Sequence, residues 1–444
     1  MTKAFASLLR KFSRDPLAQN FLILLLGTVA GQAIPILLSP ILTRIFRPED
    51  FGVLGVFSAL SMSLVPLATL RYELALLLVR SEEEAAAVFA LSALVLCITC
   101  TFAFVVIALL PSFAIFGADT LGTMKFWLPL ALFVVSFYQV LVYEATRCGR
   151  LGVVARTKVV QGLAGPGVQI GLGLTLFQTT GLLLGFIAGQ SAGTVSMIRT
   201  LVLPRWASFR ALTWLQLRQA ALRYIRFPLI SSWSGVLQEV GSQYIALVLV
   251  MIAFGPVVAG YLFLADRVVG RPLLVVTTST LQAFASEIST LLKSGSEDLI
   301  GRFVRVLGVQ FALALGWCAV VFFMAPIVVV PLFGPSWAPA VPCIQIMCFV
   351  YLFQATMHPL YPTLQLLERQ GTLAIWEVLR LAAVSGVILF AARGNYSVEW
   401  GLGLYAAAQA LAQIALLVIQ LRAISTMRRA PQTDERGTPD IPLL

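Results

Sequence analysis

Apolar residues run through this chain in long blocks, interrupted by short segments where charge, proline and glycine collect. Blocks long enough to span a bilayer lie at 19–42, 52–79, 85–110, 126–144, 152–177 and 179–203, and again at 226–254, 257–285, 303–332, 338–364, 372–392 and 397–421. About 20 helical residues cross about 30 Å of hydrocarbon. The pattern therefore predicts an all-α membrane protein of about twelve transmembrane helices. The apolar stretch from Phe21 exceeds the about 7–15 residues of a cleavable signal, so it is read as a retained first span.

The pattern also repeats. Phe46-x-Pro48-x-x-x-Gly52 follows the first span and Phe254-x-Pro256-x-x-x-Gly260 the seventh, 208 residues apart. Phe116-Gly117 answers Phe333-Gly334 at 217, and Arg150-x-Gly152 answers Arg369-x-Gly371 at 219. Three matches in one order predict two parallel six-helix lobes around a central cavity, a transporter arrangement. The division is a basic segment 1–18, an N-lobe 19–203, a linker 204–225, a C-lobe 226–424 and a disordered tail 425–444. Residues 204–227 hold five arginines, no acid and interspersed Trp206, Trp214 and Tyr224. This predicts a basic amphipathic helix at the lipid interface.

Composition agrees with the pattern. The chain is 59% hydrophobic and only 11% charged, with a mean hydropathy of +0.91. Soluble domains carry about 25% charged residues, so soluble enzymes, secreted domains and nucleic-acid binders are excluded. The net charge of +11 instead follows the positive-inside bias. With both termini cytoplasmic, 24 of 31 Lys and Arg fall inside, four outside, and Arg267, Arg271 and Arg380 within spans. The expected location is the bacterial cytoplasmic (inner) membrane.

Cys97 and Cys100 form a C-x-x-C inside an apolar span with no histidine or second pair nearby, so they read as small helical residues. His358 is the only histidine, which leaves no His-cluster metal site and no cofactor motif. No catalytic set emerges, and every outside loop is short.

Several stretches together resemble a known family: LSPILTRIFRPEDFGVLGVFSAL at 38–60, LATLRYELALLL at 67–78, RYIRFPLISS at 223–232, GYLFLADRVVGRPLLVVTTSTLQAFASE at 260–287 and LFGPSW at 332–337. The resemblance is to bacterial polysaccharide flippases of the O-antigen and exopolysaccharide type. These belong to the multidrug/oligosaccharidyl-lipid/polysaccharide exporter superfamily. It implies flipping of a polyprenyl-pyrophosphate-linked oligosaccharide by alternating access. It also implies, as partners, the lipid-linked oligosaccharide, the bilayer, and the polysaccharide polymerase and chain-length machinery. The alternative is a cation-coupled multidrug exporter of the same superfamily. Such exporters often carry an acid in the first helix, whereas 19–42 holds only Asn20 and Gln32 as notable polar groups.

Charge at mid-membrane is costly and usually faces a cavity or a partner. Arg71, Arg156, Lys158, Arg267, Arg271 and Arg380 are the candidate substrate-binding cations. Glu73, Glu239, Asp266 and Glu377 are the candidate coupling or ion-pair acids, which leaves a surplus of two positive charges. That surplus suits pyrophosphate, which guanidinium forks bind well. If the second span is one helix over 52–79, Arg71 lies in the inner half and shares a cavity with Arg271. If the helix ends near Leu70, Arg71 instead snorkels to headgroups. Arg156 and Lys158 carry the same two readings. Glu239 suits either proton coupling or an ion pair with Arg267 or Arg271, and Glu377 and Arg380 are spaced to pair. Pro35, Pro66 and Pro272 are the candidate hinges.

Overall fold

The computed structural model describes residues 16–79, 81–109, 123–175, 178–239, 244–293, 299–367, 369–394 and 396–429. The basic residues before 16, Arg80, Phe116-Gly117 and the tail from 430 lie outside them. Among the described residues there is helix and no strand. Eight helices are long and apolar enough to cross a membrane: Ile23–Ile45, Glu82–Leu109, Trp127–Arg147, Gln178–Arg210, Leu299–Phe333, Ala340–Leu366, Gln370–Arg393 and Val398–Thr426. The second, fifth, seventh and eighth predicted spans are also helical, but shorter, broken or more polar. Together they form the two six-helix lobes.

The second span departs from one continuous helix. It runs as Pro48–Ser63, restarts as Val65–Ala68, then tightens into a 3-10 segment Tyr72–Leu77. Pro66 lacks the N–H that would continue the ladder, so the chain breaks beside it at Leu64. Leu70 and Arg71 then take φ of +50° and +58°, a region costly for residues with a Cβ. The relation of Arg71 to Glu73 is therefore set by a turn, not by α-helical rotation. The other candidate hinges also stand at irregularities. Pro35 precedes the end of Pro16–Leu37, and Pro272 follows the π-turn Asp266–Gly270.

The repeated F-x-P-x-x-x-G stretches meet in space. Pro48 and Pro256 each open a helix at its first turn, where a missing N–H costs nothing. A Cβ at Gly52 would run into the Pro256 carbonyl, and one at Gly260 into the Pro48 carbonyl. Small residues thus let the second and eighth spans touch backbone to backbone. Trp337 seals the same end: its Nε1 donates to the Thr43 carbonyl at 3.0 Å, and its ring meets Phe51 edge-on at 5.1 Å. Arg44 adds a bond to the Pro331 carbonyl at 2.7 Å.

Burial follows this arrangement. The largest core crosses between lobes, joining Leu42, Phe51 and Phe57 to Val258, Leu262, Trp337 and Ile344. Toward the other end each lobe closes on its own core. One is built on Leu76, Val88, Leu141 and Met197, the other on Phe284, Phe303, Leu364 and Leu416.

The linker is two short helices, Trp206–Arg210 and Trp214–Arg223, rather than one. Thr213 starts the second: Gln216 Oε1 accepts from its N–H at 2.8 Å and its own Oγ1 accepts from Gln216 N–H at 3.4 Å, a capping box. Its arginines do not all face lipid. Arg205 bonds Glu82 at 2.9 Å and Glu144 at 2.5 Å, and Arg223 bonds Glu84 at 2.7 Å. Trp206 and Trp214 remain exposed.

Candidate functional site

The eighth span carries the chemistry because its regular ladder fails at its charged residues. Pro256–Ala265 passes through a single π-turn, Asp266–Gly270, into Arg271–Lys293. Such bulges recur at functional sites. Gly270 is required for space: a Cβ there would lie 2.6 Å from Asp266 Oδ1 and 2.7 Å from the Tyr351 ring. Tyr351 can therefore reach across from the tenth span. Its hydroxyl donates to Asp266 Oδ1 at 2.9 Å, while Arg271 Nε donates to Oδ2 at 2.9 Å.

Arg267 and Arg271 face a cavity of about 320 Å³ between the lobes. The N-lobe wall comes from Thr28, Gln32 and Pro35 of the first span, Lys158, Gln161 and Gln169 of the fifth, and Phe186 and Gln190 of the sixth. The first and fifth spans approach closely, because a Cβ on Gly31 would lie 2.5 Å from the Lys158 carbonyl. The Lys158 ammonium sits 4.9 Å above the Tyr138 ring, a cation–π contact that leaves its donors available. Arg267 Nη1 and Gln32 Oε1 are buried without a hydrogen-bond partner among the described residues. Past Arg271 the space continues into a cleft of about 30 Å³ lined by Ser58, Tyr244, Tyr351 and Tyr405.

Of the charged lining, Lys158, Arg267 and Arg271 are cationic and Asp266 alone is acidic. Asp266 is already shared by Arg271 and Tyr351. What remains is two cations and several amides aimed at common space, an arrangement that fits an anion with several acceptor oxygens. Among the described residues, no group of three or more His, Cys, Asp or Glu assembles.

The structure divides the other sequence candidates. Arg71 does not line the cavity with Arg271; its guanidinium lies against Gly235 of the seventh span. Glu73 is buried beside it, and Arg71, rather than Arg267 or Arg271, is the cation whose charge acts on Glu239. Arg156 is exposed, because it points off the fifth helix away from the Lys158 face. Glu377 and Arg380 meet at 2.6 Å, with Arg380 over the Trp376 ring, outside the cavity. His358 packs against Tyr361. Of the lining, the sequence had pointed to Gln32 but not to Gln161, Gln169 or Gln190, nor to Tyr351 and Tyr138 beside it. Lys158, Gln161, Gly165 and Gln169 recur at three- and four-residue spacing, a polar stripe legible as one helical face.

The family signature described as polysaccharide biosynthesis protein matches residues 41–342, more than half of the chain. The chain belongs to that family. Solved structures similar to this polysaccharide biosynthesis family member are transporters of the MOP superfamily. An inward-facing multidrug resistance MATE family transporter aligns with TM-score 0.55 and 14% identity over 91% of this chain and 96% of its own. An outward-facing one gives 0.54 and 15% over 94% and 98%. A MOP superfamily transporter from Pyrococcus furiosus Vc1, described as having a binding pocket of reverse polarity, gives 0.52 and 15% over 94% and 98%. At these identities the likeness establishes the fold, two six-helix lobes. No curated protein sequence matches. The protein is thus a polysaccharide biosynthesis family member with the two-lobed helical membrane fold of those transporters.

Proposed function

We propose that the protein flips a polyprenyl-pyrophosphate-linked oligosaccharide across the bacterial cytoplasmic membrane by alternating access, without covalent chemistry and with both termini cytoplasmic. The observation that carries this reading is the interlobe cavity in which Lys158, Arg267 and Arg271 outnumber Asp266. Its volume lies at the low end of ligand pockets. It suits a diphosphate head group, with the glycan and prenyl chain extending beyond it. The same charge surplus disfavours cationic drugs, and so the multidrug-export alternative.

The test is complementation of a deletion strain, scored by surface glycan at matched protein level. Lys158→Ala, Arg267→Ala and Arg271→Ala each abolish surface glycan, and Arg271→Lys restores it only partly because the planar fork is lost. Arg156→Ala leaves it unchanged. Full surface glycan in the Arg267→Ala, Arg271→Ala double variant overturns the cavity as the cargo site.

A further inference from the structure

The seam between the lobes holds a second polar cluster, separate from the cavity. Arg71 stands at a strained left-handed turn, and its guanidinium is pressed on the opposite lobe. A Cβ at Gly235 would lie 2.5 Å from Nη2 and 2.7 Å from Nε. That Nε is buried and makes no hydrogen bond among the described residues. Two residues on, Glu73 is 0% exposed; the Thr69 hydroxyl and the Glu73 backbone N–H lie near its carboxylate, but neither reaches an oxygen with good hydrogen-bond geometry among the described residues.

The surroundings of Glu73 explain why this is unusual. Thr69 and Arg71 face it from its own segment, and Tyr143 from the fourth span. Glu239 of the seventh span acts on Arg71 from the other lobe. The third span also packs on this segment, but its Glu84 is held by Arg223 at 2.7 Å and by the Tyr224 hydroxyl at 2.9 Å. One cation therefore stands between two carboxylates, one from each lobe. A fully buried, ionised carboxylate without well-formed hydrogen bonds is among the costliest groups a protein can carry.

We infer that Glu73 is a proton-binding carboxylate at the lobe seam, protonated while Arg71 is engaged with the C-lobe. When Gly235 withdraws, Arg71 is released to turn onto Glu73. A charge-assisted pair with the guanidinium requires the carboxylate, so the proton leaves the Glu73 carboxyl oxygen for water. Proton occupancy and lobe contact then bias each other reciprocally. The inference rests on the alternating-access reading only for the motion to which the proton is tied.

The test uses the full-length protein in lipid vesicles, without cargo. Infrared difference spectra between low and high pH are expected to show a protonated-carboxyl band in the wild type and in Glu239→Gln, absent in Glu73→Gln. Hydrogen exchange, corrected for its intrinsic pH dependence, reads the seam itself at 64–79 and 230–239. Wild type is expected to lose about tenfold protection as pH rises, the change that one pK unit of linkage produces. Glu73→Gln, an isosteric mimic of the protonated form, stays protected throughout. A band that disappears in Glu239→Gln instead, no band in the wild type, or unaltered pH dependence in Glu73→Gln overturns the inference. Either result stands apart from the surface-glycan assay, which tests the cargo reading alone.

Discussion

Gly52 and Gly260 hold equivalent places in the two lobes, and each lies against the carbonyl of the other lobe's repeat proline, Pro256 and Pro48. The obstacle a side chain would meet is backbone, which has little room to yield. Gly52→Ala or Gly260→Ala therefore forces the spans apart and costs about 1–3 kcal/mol, the usual range for overpacking. Because each glycine also lies against the other's backbone nitrogen, the double variant is expected to be non-additive. Thermal unfolding of the detergent-purified protein measures this, and a wild-type midpoint in both single variants would show that the spans are not in backbone contact.

Asp266 is satisfied from two sides, by Arg271 and by Tyr351. Tyr351→Phe removes one hydrogen bond to a charged group and is expected to lower stability by about 1.5–3 kcal/mol. Asp266→Ala removes the partner of Arg271 and costs about 3–5 kcal/mol, the range for breaking a buried pair, tending to the low end because Arg271 borders the cavity. Denaturation that ranks Tyr351→Phe as the more damaging substitution contradicts this assignment.

Glu144 is 3% exposed and bridges Arg147 at 2.9 Å and Arg205 at 2.5 Å, tying the linker to the fourth span. Glu82 bonds the same two arginines but is 60% exposed. Solvent screening limits exposed pairs to about 0–1 kcal/mol, so Glu82→Ala is expected to be nearly silent. Glu144→Ala should be more destabilising, because it takes from the part-buried Arg147 and Arg205 the one acceptor that is itself shielded from solvent. Equal effects of the two substitutions on unfolding would count against a buried role for Glu144.

Orientation follows from the Lys and Arg asymmetry. Reporter fusions after Arg150 and Arg210 are expected to read cytoplasmic, and a fusion after Gly334 periplasmic. A cytoplasmic signal at Gly334 would break the parallel two-lobe arrangement.

The eight helices that pass a length and hydropathy test were legible because a helix in lipid must be apolar along most of its length. The second, fifth, seventh and eighth spans were harder to read for the reason that makes them interesting. They meet other helices or line the cavity, so they tolerate Arg71, Lys158, Glu239 and Asp266, and breaks that lipid would penalise. The turn at Leu70-Arg71 had no local cue beyond Pro66, since neither residue favours positive φ.

By itself the sequence determined the membrane class, the helical spans, the doubling of the lobes and the residue types of the site. These depend on local hydropathy and on repeated motifs, both written along the chain. Tertiary structure decided which charges share a space. It joined Lys158 of the fifth span to Arg267 and Arg271 of the eighth, and brought in Tyr351 from the tenth. It also carried Arg71 away to Gly235 and left Arg156 exposed. Proximity between distant helices depends on how closely their backbones approach and how each helix is turned. Here that approach is set by glycines, a π-turn and a strained turn acting together across the lobes.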